Sequence, residues 1–345
     1  MNQPSVVEPS IAILVVWIFL YIYSMAGSID FGASFWSMIY LTKNTQAGKI
    51  ANRFLSPTWE ITNTILVLFV VAVVGFFPKA AFMLGTVLLV PVSIILLLIS
   101  LRSAFMVFAY SLQGYERTLR LISGITGFLV PVLLISALPI TEGGFIQSIG
   151  GRETLLFHKW LTSPSVYMYM LFGLTSELFL SALFLADYAR EAGENSTYHI
   201  YRKNAILFGP ITLIAAVVTL LALEPEAKWL LDNIGEQIRW FIFSIIAFLL
   251  GYSALWWPDQ KKGRGKPRVA VIAVAIQYGL ATFGYGIAHL PYIVFPDLTV
   301  SNAFTNMDTF YSLLWVFTIG LAILLPGFVI FWRLFLKDKK YLQRE

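Results

Sequence analysis

The chain has 345 residues, of which 58% are hydrophobic and only 12% carry a formal charge, and its mean hydropathy is +0.76. A soluble domain carries about 25% charged residues, so this composition excludes an ordinary soluble protein. The absence of cysteine excludes disulfides and thiolate-bound zinc or iron–sulfur centres. The net charge of +5 arises from short basic clusters between apolar runs, which gives no support to nucleic-acid binding.

Apolar stretches of about 20 residues, each long enough to cross a hydrocarbon core of about 30 Å, recur along the whole chain. Because unpaired backbone groups in lipid cost several kcal/mol each, such stretches are expected to be helices. The sequence predicts an all-α polytopic membrane protein with nine spans, at 11–40, 60–77, 80–101, 119–139, 164–187, 204–223, 238–257, 269–290 and 310–336. Only Phe77-Pro78-Lys79 separates the second span from the third, which predicts a tight helical hairpin.

The polar stretches between the spans are short, at about 140–163, 190–203, 224–237, 258–268 and 291–309. None is long enough to bury a core of its own. The sequence therefore predicts one integral membrane domain over 1–345.

Lys and Arg are distributed unevenly among these segments. Most of the 24 lie in the loops after spans 1, 3, 5 and 7 and in the C-terminal tail. Because positive charge stays in the cytoplasm, the N-terminus is expected outside and the C-terminus inside, as an odd number of spans requires. The first basic residue is Lys43, so no cleavable signal peptide is expected.

Histidine is scarce, which bears on cofactors. His158 and His199 fall in polar loops, and His289 falls at the end of span 8. Haem in helical membrane proteins is usually ligated by histidines buried among helices. Two loop histidines and one interfacial histidine therefore predict that this chain holds no haem and no metal.

Three ionisable residues are expected near the cytoplasmic membrane surface. Asp30 lies near the end of span 1, Glu60 opens span 2 and Arg102 closes span 3. Burying a charge within a span costs roughly 2.5–3.5 kcal/mol, which makes each residue a candidate for function, here in a proton entry route. The alternative is structural: a carboxylate complements a helix N-terminus, and an arginine at a helix end extends its charged group towards water.

Span 5 contains two further acidic residues. Glu177 lies near its middle, where neither helix capping nor contact with water accounts for it, and it is a fourth proton-route candidate. Asp187 lies ten residues further on, where the cytoplasm can solvate it.

Several segments together resemble subunit II of the cytochrome bd family of bacterial quinol oxidases. In spans 1 and 2 they are Gly27-Ser28-Ile29-Asp30-Phe31-Gly32 and Ser56-Pro57-Thr58-Trp59-Glu60-Ile61-Thr62-Asn63. Phe77-Pro78-Lys79-Ala80 and Leu101-Arg102-Ser103-Ala104-Phe105 follow, and Gly286-Ile287-Ala288-His289-Leu290-Pro291 with Pro296 is similar to the family's turn before its last helix. The resemblance covers most of the chain. Glu60 stands where the family usually has Asp, and Ile61 stands where it has Gly, which indicates a divergent, Gram-positive-like branch.

The resemblance implies a fold of two four-helix bundles, in 1–140 and 164–290, plus a final helix at 310–336. It also implies that the chain is the haem-free partner of a haem-bearing subunit I. Subunit I would carry two haems b, one haem d and the quinol site, and a small single-helix subunit is a further candidate partner besides membrane lipids. The chain would then stabilise subunit I in the bacterial cytoplasmic membrane and supply polar residues for proton uptake. The alternative is a transporter acting alone, which would need paired helix breaks around a midplane site.

Overall fold

The computed structural model describes residues 7–43, 45–109, 116–150, 152–259 and 263–332. The longer helices within these ranges are α1 (Val7–Lys43), α2 (Thr45–Phe76), α3 (Pro78–Val87), α4 (Leu89–Ala109), α5 (Glu116–Ile135), α8 (Pro164–Glu191), α9 (Asn195–Ala222), α10 (Glu224–Glu236), α11 (Ile238–Ser253), α12 (Pro267–His289) and α14 (Met307–Trp332). The short helices are α6 (Leu138–Glu142), α7 (Phe157–Thr162) and α13 (Val300–Ala303). The basic tail, Lys261 and Lys262 lie outside the described residues, as does the predicted end of the last span at 336.

The loops of the described part contain three short antiparallel hairpins that the sequence did not predict. They pair β1 (Ile146–Ile149) with β2 (Arg152–Leu155), β3 (Pro258–Asp259) with β4 (Gly263–Arg264), and β5 (Tyr292–Val294) with β6 (Leu298–Thr299).

The prediction of an all-α polytopic membrane protein is confirmed. Eight helices of the described chain are long and apolar enough to cross a membrane. The ninth predicted span corresponds to the pair α10 and α11, which bends by 76° and counts as one span only if the pair is taken together. The class of the fold was therefore readable from hydropathy, whereas the bend at Gln237 was not.

The start of α2 differs from the prediction. The helix begins at Thr45, so Glu60 lies well inside it, and the idea that Glu60 caps a helix N-terminus is wrong. Ala47, Ile50, Ala51 and Phe54 are buried and recur at helical spacing, which is the pattern of an amphipathic helix. A search for continuous apolar runs misses this turn because polar residues alternate with the buried face.

The hairpin predicted between spans 2 and 3 is also wrong. Pro78 starts α3 as its first residue, where a proline is well tolerated. The apolar face of α3, with Met83 and Val87, packs against Ile140, Phe145 and Trp160. Consequently α4 does not fold back along α2: it packs mainly on α5, while α2 packs on α1 and α14.

Helix α8 is the centre of the molecule. It packs on α9 and α12 on one side and on α1 and α5 on the other. In its most apolar window 61% of residues are buried, compared with 6% for α14. These pairings are compatible with two bundles in 1–140 and 164–290, a division that stays a prediction. They put the polar residues in the middle of α8, Glu177 among them, in the interior.

Candidate functional site

The carboxylate of Asp30 and the guanidinium of Arg102 form a buried ion pair between α1 and α4. Arg102 Nη1 donates to Asp30 Oδ2 at 2.7 Å, and the two residues are only 3% and 0% exposed. Helix α4 continues to Ala109, so Arg102 lies within the helix and does not reach out to water. The expectation of an arginine extended towards the membrane surface is therefore wrong.

Hydroxyl groups surround this ion pair. Arg102 Nη2 donates to Ser34 Oγ at 2.8 Å, and Ser123 Oγ donates to Ser34 Oγ at 3.3 Å. On the other side, Thr58 Oγ1 of α2 donates to Asp30 Oδ1 at 3.4 Å. A buried ion pair compensates its desolvation only when hydrogen bonds satisfy its remaining atoms. The serines and the threonine, contributed by α1, α2 and α5, supply such bonds.

Glu177 of α8 is the third ionisable group of this region. It is 0% exposed, and neither carboxylate oxygen has a hydrogen-bond partner among the described residues. Both Asp30 and Arg102 lie close enough to interact with it electrostatically. Two carboxylates and one guanidinium are neutral together only when one proton is bound, and burial strongly favours the neutral state. We call Asp30, Arg102, Glu177, Ser34, Thr58 and Ser123 the Asp30 cluster.

Gly32 lets α1 and α8 approach each other beside Glu177. A Cβ at Gly32 would overlap the Ser181 side chain and lie 3.1 Å from the backbone oxygen of Glu177. Ser181 Oγ donates to that same oxygen at 2.6 Å and accepts from Trp36 Nε1 at 2.9 Å. The second glycine of the Gly27–Gly32 segment therefore has a packing role, whereas a Cβ at Gly27 would make only ordinary contacts.

Glu60 does not join the Asp30 cluster. Its side chain is exposed on α2, and among the described residues no hydrogen bond joins it to Asp30. Thr58, two residues earlier, makes the contact with Asp30 instead. Helices α1 and α2 pack on each other, but the helical phase points Glu60 outwards.

The other residues of the family-like segments lie at structural positions. Trp59 packs against the largest core cluster, Asn63 is half-buried, and the backbone of Pro57 lies inside α2. Gly286 of α12 faces the ring of Trp17, which would lie 3.5 Å from an added Cβ. Pro291 follows a cis peptide bond at the end of α12.

The histidines occupy different environments. His158 and His199 are exposed, whereas His289 is 8% exposed and its Nδ1 lies 3.0 Å from the backbone oxygen of Tyr292. Across the described ranges, no group of three or more His, Asp or Glu side chains is arranged to hold a metal ion.

Two further polar contacts were missed by sequence reasoning. Asp187, expected to be solvated, is 9% exposed and accepts from Arg268 Nε at 2.6 Å. Glu142, which ends α6, is 1% exposed and accepts from the hydroxyls of Tyr169 and Tyr285. The three residues of this second group are distant in sequence, so no local pattern connects them.

The helices and the buried charged residues define a polytopic membrane protein with an ionisable cluster in its helix core. The family model of cytochrome bd terminal oxidase subunit II matches residues 8–335. The chain is 47% identical over 338 residues to a relative from Bacillus subtilis (strain 168) that is named as a cytochrome bd menaquinol oxidase subunit II, with 97% of each chain covered. The chain therefore belongs to the cytochrome bd terminal oxidase subunit II family.

A solved structure agrees with this assignment. The bd oxidase from Geobacillus thermodenitrificans is similar with a TM-score of 0.80 and 33% identity, covering 96% of this chain and 99% of that chain. Homologues of the chain are subunits of cytochrome bd quinol oxidase, a terminal oxidase complex. These matches do not favour a transporter acting alone.

Proposed function

We propose that this chain is the haem-free second subunit of a quinol:O₂ oxidoreductase and stabilises a haem-bearing subunit I. The proposal extends to menaquinol as the electron donor, because the Bacillus relative is named for it. Two haems b and one haem d belong to the partner in this proposal, with a small single-helix subunit and lipids as further neighbours. The scarcity of buried histidine supports the haem-free assignment: His158 and His199 are exposed, and His289 is the one buried histidine among the described residues.

The Asp30 cluster is the part of the chain that we assign to proton uptake. Reduction of O₂ to water consumes protons at a buried site, and charge does not cross lipid without polar groups. The observation that supports this is the composition of the cluster: Asp30 pairs with Arg102, and Glu177 is buried close enough to interact with both electrostatically. Such a set holds one exchangeable proton, and neighbouring hydroxyls can pass it on.

Glu60 has a separate place in this proposal. It is an exposed carboxylate two residues into an apolar span that begins at Thr58. In lipid such a side chain is costly, so a protein surface covering it is favoured. We assign Glu60 to the face that meets subunit I, as the group that delivers protons to or from the partner.

The competing role within the same family is a scaffold whose acidic residues only pack and hold helices together. In that case the Asp30–Arg102 pair would contribute to assembly and nothing else. Loss of the carboxylate would then remove haem and complex together, whereas loss of a proton carrier would slow turnover of an intact complex.

The test uses the purified complex with its haem-bearing partner. Asp30→Asn and Glu177→Gln are compared with Asp232→Asn, an exposed acid on α10. We expect quinol-driven O₂ consumption to fall about tenfold or more in the first two variants, since proton-transfer groups contribute factors of about 10² or more. Haem content and complex yield should stay at the control level in Glu177→Gln, which keeps the Asp30–Arg102 pair. In Asp30→Asn the activity is compared per haem, because Arg102 loses its partner. Activity that falls only in proportion to haem content would support the scaffold instead.

A further inference from the structure

The carboxylate of Glu142 lies where four helices meet, on the membrane side on which α1 begins. Its Oε1 accepts from the hydroxyl of Tyr285 in α12 at 2.6 Å and from the hydroxyl of Tyr169 in α8. Trp229 of α10 donates its Nε1 to the backbone oxygen of Glu142 at 2.9 Å. Three helices besides its own α6 therefore hold this one residue in place.

No cation compensates Glu142. Among the described residues no Lys, Arg or His nitrogen lies within 4 Å of its carboxylate. Lys159 of α7 donates to the backbone oxygen of Gly144 at 2.8 Å. The charged group that does interact with Glu142 is a second acid, Glu226 of α10. Two carboxylates without a cation repel each other, so the buried one has reason to be neutral.

Among the described residues, two buried polar atoms of this region have no well-formed hydrogen bond: Oε2 of Glu142 and Nε2 of His289. The ring of His289 also lies close to the backbone of Thr141. The ring of His289 contacts those of Tyr285 and Trp229, with centroids 5.9 and 5.4 Å away, and both of these residues donate to Glu142. Because buried polar atoms are almost always hydrogen-bonded, a proton with an accompanying water is the smallest ligand that satisfies them.

We propose that Glu142, Tyr169, Tyr285, Trp229 and His289, the Glu142 cluster, form a proton-binding site that exchanges with water through Glu226. A proton on Oε2 removes the buried charge and leaves Oε1 free to accept from both tyrosines. Glu226 is half-buried, and its carboxylate accepts from Ser163 Oγ at 2.6 Å and from Ser165 Oγ. It lies at the partly solvated edge of this region, close enough to Glu142 to interact with it electrostatically.

The Glu142 cluster is separate from the Asp30 cluster. Tyr169 and Glu177 are eight residues apart on α8, which is about 12 Å along a helix. Between the depths of Tyr169 and Glu177, the side chains of Ser176 and Tyr278 lie close together. Among the described residues their buried hydroxyls make no hydrogen bond of normal distance and angle. The two clusters therefore lie at different depths of the helix bundle, and the proposal does not depend on the function assigned to Asp30.

Infrared difference spectra of the intact complex between two pH values test the site. Glu142→Gln should remove one carbonyl band of a protonated carboxylic acid, whereas Glu236→Gln, an exposed acid at the end of α10, should leave the spectrum unchanged. Tyr285→Phe should keep the band and shift it to higher frequency, because the carbonyl loses a donor. Glu226→Gln should slow deuterium exchange of the band several-fold.

Each other outcome overturns the proposal. An identical spectrum in Glu142→Gln would mean that this residue carries no exchangeable proton. If the carboxylate bands change when choline replaces sodium, the Glu142 cluster binds a cation and not a proton. If the Glu142→Gln complex does not assemble, Tyr285→Phe tests the proposal in its place. A carbonyl band that does not shift in Tyr285→Phe would contradict the hydrogen bond from Tyr285 to Glu142. Unchanged deuterium exchange in Glu226→Gln would reject the route to the surface.

Discussion

Arg102 of α4 and Asp30 of α1, 72 residues apart in sequence, meet at 2.7 Å in a core that leaves them 3% and 0% exposed. The pair joins two helices of the first half of the chain, and Glu177 of α8 faces it from the second half. A charged contact at this position couples the packing of the helices to the protonation of the site. The energetic and the functional roles can be separated by mutation.

Removing one partner of the pair should cost more than removing both. In Arg102→Met the carboxylate of Asp30 stays buried without a cation, which typically costs about 3–5 kcal/mol. The double variant Asp30→Asn with Arg102→Met keeps the volume and removes both charges, so it should be more stable than Arg102→Met. Thermal unfolding of the purified complex measures the difference. The two side chains are not directly coupled if the double variant loses as much stability as Arg102→Met, or as much as the two single variants added together.

Gly32 should not tolerate a larger residue. In Gly32→Ala the new methyl group would overlap Ser181, and α1 would have to move away from α8. Overpacking of this kind costs about 1–3 kcal/mol. The matched control is Gly320→Ala in α14, where no atom lies within 4 Å of the added Cβ. Its midpoint of thermal unfolding should equal or exceed that of the wild type, and equal destabilisation of both variants would refute the packing role.

Hydropathy predicted the spans because the residues of a helix in lipid are mostly apolar, whichever way their side chains point. It failed for α2, where the buried face of Ala47, Ile50 and Ala51 alternates with polar residues. It also failed for the partners of Asp30 and Glu142, because such contacts depend on the rotation and depth of helices. Burial costs made Asp30 and Glu177 recognisable as candidates, but helical phase alone decided that Thr58, and not Glu60, reaches Asp30.

The chain expressed without its partner should bind no stoichiometric haem. His158 and His199 are exposed, and His289 is the one buried histidine among the described residues, so no pair of buried histidines is present there to hold a haem. A pyridine haemochrome assay on the isolated polypeptide should give far less than one haem per chain. Co-expression with the haem-bearing subunit, assayed in parallel, shows that the cells supply haem. A value near one haem per isolated chain would contradict the assignment.

The distribution of Lys and Arg predicts which loops face the cytoplasm. His158 follows α6 on the predicted outer side and His199 lies in the first turns of α9 on the predicted inner side, and both are exposed. Because the chain has no cysteine, His158→Cys and His199→Cys provide single labelling positions. In intact cells an impermeant maleimide should label only the first, and in inverted vesicles only the second. Labelling of both from one side would refute the predicted topology.

Glu60 gives the sharpest distinction between proton transfer and packing. Its side chain is exposed and makes no described contact with Asp30, so Glu60→Gln should leave the fold of this chain intact. If Glu60 passes protons at the partner face, Glu60→Gln should lower quinol oxidase activity several-fold with unchanged haem content, because an amide cannot bind and release a proton. Glu60→Asp should retain much of the activity, since it preserves the carboxylate. Wild-type turnover of Glu60→Gln from about pH 6 to about pH 9 would remove Glu60 from the route, whereas loss of subunit I from the complex would assign it to assembly.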